Sequence, residues 1–163
     1  MEIYLMQHGA CFSKDVDPEQ PLSPVGREQI EKSAAAVKKF GLEFDLVLAS
    51  PKRRSQQTAK AVAEQTGYPV DKIVVTDKVK AMTPPDQTLE FLKQYGDLEK
   101  IFIAGHLPSL AEVASMLLTS GPKVRIKFEM GGLCRIDVET LPSNQGVLCF
   151  YLTPAQLRLI AGE

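Results

Sequence analysis

The sequence predicts an α/β fold, a three-layer αβα sandwich whose central sheet is mostly parallel and carries an antiparallel addition at its C-terminal end. Three observations predict it. Ile3–Met6, Leu46–Ala49 and Ile101–Ala104 are short apolar runs without helical period, the pattern of strands buried on both faces. Each run is followed, directly or after a polar connection, by a stretch with helical spacing, and that alternation builds parallel sheets. Near the C-terminus, Leu133–Val138 and Val147–Leu152 are β-type runs separated by a connection of Pro, Ser, Asn and Gly, which reads as an antiparallel hairpin. A chain of 163 residues suits one domain, 1–163, around one core.

In order along the chain, the first run stops at Gln7, His8 and Gly9, where glycine lets the backbone turn or approach a ligand closely. The connection Ala10–Leu22 is polar, contains Ser13, Lys14, Asp15 and Asp17, and exceeds the usual length of about two to six residues. It is either a surface insertion or a substrate-contacting loop. Ser23 is a good N-cap with Pro24 behind it, and Ile30, Ala34, Val37 and Phe40 carry the helix to a stop at Gly41. After the second run, Ser50 is the expected N-cap and Pro51 the first residue of a helix ending near Gly67. Val70–Thr76 is a short β-branched segment and a further strand candidate.

Thr83-Pro84-Pro85-Asp86 opens a helix reaching Tyr95, with Gly96 as its stop. The third run ends at Gly105-His106, and Leu110, Val113, Ala114 and Leu117 give the following helix, Ser109–Leu118, one apolar stripe. Beyond Gly121-Pro122, apolar Val124, Ile126 and Phe128 alternate with Lys123, Arg125 and Lys127, the pattern of a strand with one basic face. Pro154–Ile160 is expected to close the chain as a short helix.

The chemistry sits at the ends of the three runs. In open α/β sheets ligands bind beyond the carboxyl ends of the strands, and that rule brings His8, Arg54 and His106 together. Arg53 and Arg54 fall in the first turn of a helix, where free N–H groups and the dipole already favour an anion. Cations are mildly unfavourable there, so a bound anion is one good reason for them. Two histidines and an arginine around an anion make a phosphoryl-transfer site. A metal site is not expected, because the two histidines lack carboxylate or thiolate company at ligand spacing. No phosphate-cradling Gly-x-x-x-x-Gly-Lys loop or Gly-x-Gly-x-x-Gly fingerprint appears, and Cys11 has Asp17, not arginine, six positions on, so a cysteine phosphatase is disfavoured.

These residues also carry a resemblance. The Gln7-His8-Gly9 start, the Leu22–Arg27 segment, Ser50-Pro51 with Arg54 and Gln57-Thr58, and Gly105-His106 resemble the histidine phosphatase superfamily, with its phosphoglycerate mutase-like fold. The short length and the Gly105-His106-Leu107-Pro108 form are most similar to its SixA-type phosphohistidine phosphatases, and the likeness runs in order from Met1 to about Tyr151. The resemblance implies a phosphatase that needs neither metal nor cofactor and works through a phosphohistidine intermediate on His8, with Arg54 and His106 as its catalytic partners. Gln7, Gly9, Ser13, Arg53 and Gly105 would line the phosphate or substrate site. In larger members the segment before the final histidine supplies a general acid, and Asp86, with Glu90 behind it, is the nearest candidate here. Capping and the helix dipole also account for Asp86. The implied partner is a phosphohistidine-bearing protein, such as a histidine-phosphotransfer domain, and inorganic phosphate is the product.

The family usually has arginine immediately before the first histidine, and this chain has Gln7. Two other functions stand beside the first: a broader phosphatase of small phosphoesters and, because of Gln7, a catalytically weak phosphoprotein-binding module. A net charge of -1 gives no hint of a nucleic-acid or membrane partner. Three cysteines without framework spacing point to a reduced cytoplasmic compartment, and the opening apolar run is too short for a signal peptide or membrane span.

Overall fold

A computed structural model describes residues 1–162. Strands β1 (Glu2–Gln7), β2 (Leu46–Ala49), β3 (Val74–Val75), β4 (Lys100–Gly105), β5 (Leu133–Asp137) and β6 (Val147–Leu152) form one sheet in the order β3-β2-β4-β1-β5-β6. The first four run parallel, β5 joins β1 antiparallel, and β6 pairs antiparallel with β5 beyond it. The α/β architecture and its C-terminal hairpin are as the sequence predicts.

Side chains alternate between the two faces. Ile3, Leu5, Leu46, Leu48, Ile101 and Ile103 face a core closed by α3 (Pro85–Leu92) and α4 (Ser109–Leu118). Tyr4, Met6, Val47, Ala49, Phe102 and Ala104 face a second core closed by α1 (Pro24–Lys39), α2 (Arg53–Thr66) and α5 (Pro154–Ala161). Both faces are covered, which is why β1, β2 and β4 read as unbroken apolar runs. Ser23 caps α1 by accepting from the Gly26 N–H at 3.1 Å, and Gly41 follows its end at φ 67°. None of the helices among the described residues is long and apolar enough to cross a membrane. All three cysteines are free thiols.

The structure corrects three local expectations. The helix after β2 begins at Arg53 with Lys52 as its N-cap, and Ser50 is not the cap because its hydroxyl serves His106 instead. Within Val70–Thr76, residues Val70–Lys72 form a 3-10 turn after Pro69, and the strand shrinks to Val74 and Val75 beside Leu48 and Ala49. Lys123–Phe128 forms no strand. β1 and β5 are each paired on both sides, so the sheet has no opening beside them. The segment lies over α4 instead: the Val124 N–H donates to Ser115 Oγ at 2.9 Å, and Lys123 pairs with Glu112 at 3.2 Å. Phe128 is buried in the core and Ile126 is packed against it. The alternation thus reflects the inward packing of Ile126 and Phe128, with Val124 exposed, and no strand pairing.

The end of β1 is packed against the start of α1. An added Cβ on Gly26 would stand 1.8 Å from the Ala10 carbonyl oxygen, and one on Gly9 would stand 2.6 Å from Ile30 Cγ1. Only glycine at both positions lets the chain leaving β1 cross the first turn of α1. The Ser23 N–H and hydroxyl both donate to that Ala10 carbonyl, at 3.0 and 3.3 Å. Gly26→Ala should therefore cost about 3 kcal/mol, the upper end of ordinary overpacking, despite alanine's better helix propensity. Denaturant unfolding measures it, and a loss below about 1 kcal/mol would mean that the crossing relaxes easily.

Candidate active site

His8 leaves β1 at its carboxyl end, and its backbone N–H donates to the Gly105 carbonyl at 3.1 Å, continuing the parallel ladder with β4. His106 leaves β4 alongside it, and the two ring centroids lie 4.9 Å apart. Both imidazoles are buried, with exposures of 7% and 3%. Arg54 enters from the first turn of α2, and its Nε–H donates to His8 Nε2 at 3.1 Å. On the other side of that ring, Nδ1 lies 2.8 Å from the Gly9 carbonyl oxygen. A carbonyl only accepts, so Nδ1 carries the proton and Nε2 keeps its lone pair. Both hydrogen bonds require the same tautomer.

Burial holds the His8 pKa below its ordinary 6.5, with the Arg54 charge adding to the effect and the Gly9 hydrogen bond opposing it. For His106, burial and then the charges of His8, Arg54 and Lys52 push the value down to about 3. Both rings are therefore neutral at pH 7, and His8 Nε2 keeps its electron pair, toward which the Arg54 Nε–H points. Stability follows with a definite sign. Above pH 6.5 neither state binds a proton on these rings; below it the unfolded chain takes up protons that the folded chain refuses, so stability falls. Between pH 7 and 5, His106 alone should cost roughly 1 to 2 kcal/mol, the lower figure allowing for water that reaches the ring. His106→Asn should flatten the fall by that amount in denaturant midpoints at the two pH values, and an unchanged slope would contradict the buried neutral ring.

Arg54 Nη1 is buried and has no hydrogen-bond partner. An unsatisfied buried donor costs roughly 1 to 3 kcal/mol, more when charged. The same helix start carries Lys52, Arg53 and Arg54, has no acidic residue in its first turn and has no side-chain cap. An anion beside the rings would satisfy Nη1 and offset this charge. His106 Nε2 is engaged by Ser50 Oγ at 2.6 Å.

The structure brings His8, Arg54 and His106 together. Gln7 is the last residue of β1, nearly buried at 9% exposure; its backbone carbonyl accepts from the Gly131 N–H at 2.9 Å, and its side chain makes no hydrogen bond among the described residues. Gly9 and Gly105 supply the carbonyls that hold the His8 ring and backbone. Ser13 lies exposed in a turn where its carbonyl accepts from Val16 and Asp17 N–H, and none of its hydrogen bonds reaches the histidines. Arg53 is exposed and lines a groove with Gln56, Lys60 and Val75. Asp86 and Glu90 are exposed on α3, in a groove with Met116 and Pro142, and no carboxylate shifts the titration of either histidine.

Sequence reasoning counts Gln57 and Thr58 in the motif that carries the resemblance, but misses how they and Ser55 hold the site in place. Thr58 Oγ1 donates to the Arg54 carbonyl at 2.8 Å and accepts from the Gly9 N–H at 3.3 Å, joining α2 to the turn after His8. Gln57 Oε1 accepts from the Leu22 N–H at 2.7 Å, anchoring the end of the long connection. Ser55 Oγ accepts from the Ser50 N–H at 3.0 Å and donates to the Ala104 carbonyl at 2.8 Å. Besides the Gln57-Thr58 motif, the signal is that Ser55 and Thr58 fall on the face of a helix that otherwise buries Ala59, Val62 and Ala63.

A model of the histidine phosphatase superfamily (branch 1) matches residues 3–76. An uncharacterized protein of Picosynechococcus sp. is 28% identical over 127 residues, covering 72% of this chain and 73% of the relative. Among solved structures, the protein histidine phosphatase SixA complexed with tungstate superposes with a TM-score of 0.82 at 20% identity, covering 96% of this chain and 99% of that one. The alpha-ribazole phosphatase of Shigella flexneri superposes with a TM-score of 0.72 at 18% identity, covering 94% and 97%. The family match spans the strand that delivers His8 and the helix that delivers Arg54, and the likeness of fold continues through His106 to the C-terminal helix: residues 3–76 are similar to the histidine phosphatase superfamily, and the chain as a whole has a SixA-like fold.

Proposed function

We propose that this protein is a phosphohistidine phosphatase that acts through a phosphoryl group carried on His8. The observation that carries the proposal is Arg54, whose Nε–H points into the lone pair of His8 Nε2 while its Nη1 is buried and without a hydrogen-bond partner. In the reaction His8 Nε2 attacks phosphorus, the bond from phosphorus to the substrate nitrogen breaks, and water then displaces the phosphoryl group from His8 as inorganic phosphate. Arg54 and His106 donate to the equatorial oxygens, where charge accumulates in the transition state. Neither partner needs a metal ion for this role.

The leaving group supports phosphohistidine over an ester. An alkoxide needs a proton as it departs, whereas a protonated phosphoramidate leaves as neutral imidazole and needs less help. The nearest carboxylates in the relevant segment, Asp86 and Glu90, face Met116 and Pro142. A protein substrate suits an open site, and three free thiols suit the cytoplasm. The test is phosphate release in chelator from a phosphohistidine-bearing protein, with an aryl phosphate as second substrate. Faster release from the phosphoprotein is the expected result; a preference for the aryl phosphate would make the protein a general phosphoesterase, and no release from either would make it a phosphoprotein-binding module.

Gln7 tunes the rate. A hydrogen bond to a charged group is worth roughly 1.5 to 3 kcal/mol against about 1 for a neutral pair, and each 1.36 kcal/mol is about tenfold in rate. Gln7→Arg should therefore raise kcat/KM roughly 5- to 30-fold. An unchanged value would mean that a neighbouring cation already supplies the charge, and Lys52, whose charge contributes to the lowered His106 pKa, is the candidate.

A further inference from the structure

We infer that Ser50 is a positioning residue whose hydroxyl fixes His106 in its Nδ1–H tautomer, so that Nδ1 is the nitrogen presented to the phosphoryl group, a role that rests on the site's holding phosphate as proposed above. Ser50 is fully buried, and its Oγ lies 2.6 Å from His106 Nε2. The Lys52 backbone N–H donates to the same Oγ at 3.2 Å. A serine hydroxyl has one proton to give and two lone pairs with which to accept. Were the His106 proton on Nε2, both Nε2–H and the Lys52 N–H would donate to Ser50, and the hydroxyl proton would be buried without an acceptor among the described residues. With the proton on Nδ1, the hydroxyl donates to Nε2 and accepts from Lys52, so Ser50 is satisfied, and the Nδ1–H, which has no hydrogen-bond partner among the described residues, is left for a phosphoryl oxygen. The low dielectric of the buried site makes the first arrangement costly.

The serine is itself pinned. Its N–H donates to Ser55 Oγ at 3.0 Å, and Ser55 Oγ donates at 2.8 Å to the carbonyl of Ala104, two residues before His106. The end of β2, the first turn of α2 and the end of β4 are thereby locked around one hydroxyl. The two histidines share a tautomer by opposite means. An acceptor at His8 Nδ1 leaves Nε2 as a lone pair, and a donor at His106 Nε2 leaves Nδ1 as a proton. One ring is set to attack, the other to donate.

The chain has two histidines, so long-range proton–nitrogen correlation spectra of histidine-labelled protein resolve each ring, with His8→Asn giving the assignment. In the wild type at pH 7 both rings should show a pyrrole-like Nδ1 and a pyridine-like Nε2. In Ser50→Ala the His106 pattern should reverse or average while His8 stays unchanged, the affinity for inorganic phosphate should fall, and kcat for phosphate release should fall about tenfold, the loss of one charge-assisted bond. A pyrrole-like His106 Nε2 in the wild type overturns the inference even if Ser50→Ala fails to fold. A shifted tautomer with unchanged kcat and phosphate affinity overturns the positioning role. Wild-type protein with the expected spectrum, phosphate affinity that depends on Ser50 and no release from any substrate overturns the phosphatase proposal and leaves the serine's role in phosphate binding intact.

Discussion

His8→Ala should reduce phosphate release by at least about 10⁴-fold, the scale seen when a covalent nucleophile is removed. The expectation follows from geometry, because the lone pair of His8 Nε2 is met by Arg54, a group that also binds the phosphoryl oxygens in the proposed reaction, whereas the other bare nitrogen, His106 Nε2, is closed off by the buried Ser50. Arg54 cannot substitute, since a guanidinium has no lone pair to offer. Quenching the wild-type reaction in base with labelled substrate should trap a phosphoprotein that acid destroys, and the variant should trap none. Affinity for inorganic phosphate should fall by no more than about tenfold, because the oxygen donors remain. Release above about one per cent of wild type would sink the covalent route.

Arg54→Ala should cost about 10³-fold or more in kcat/KM, the lower end of what a charge-stabilising arginine supplies in phosphoryl transfer. Arg54→Lys should recover little of it, because an ammonium lacks the planar fork that serves His8 and an oxyanion at once. Two further signs separate this from general damage. Removing the positive charge lifts one cause of the depressed His8 pKa, so the acidic limb of the rate profile should move to higher pH. The variant should also be as stable as the wild type or more so, since an unsatisfied buried donor and a cation at a helix N-terminus both disappear. A variant that is both inactive and strongly destabilised would mean that Arg54 holds the fold together.

The sheet strands and most helices were legible because they rest on local signals. Three unbroken apolar runs require cover on both faces, and Ser23-Pro24 marks a helix start without tertiary information. Thr153, which accepts from the Gln156 N–H at 3.3 Å in a capping box, does the same for the closing helix. His8, Arg54 and His106 were legible because each stands at a strand end or the helix that follows, where topology alone brings them together. Ser50 was read as a cap because capping is the commonest local use of a serine before a helix; its real partner is 56 positions away. Lys123–Phe128 misled for a related reason: inward packing of Ile126 and Phe128 alternates with basic residues whether or not a strand partner exists, and pairing depends on which sheet edges are already taken.

The register of β1 against β4, Gln7 beside Gly105, has a consequence for how this site persists through change. Adjacent strands lie about 4.7 to 4.9 Å apart whatever their side chains, and the two imidazole centroids stand 4.9 Å apart. The gap between attacking and donating rings is thus inherited from the peptide backbone's own repeat. Core side chains on either face can drift without altering it, provided that the two strands stay neighbours in phase. Four-fifths of the residues differ from those of SixA, and the two chains still superpose along nearly their whole length.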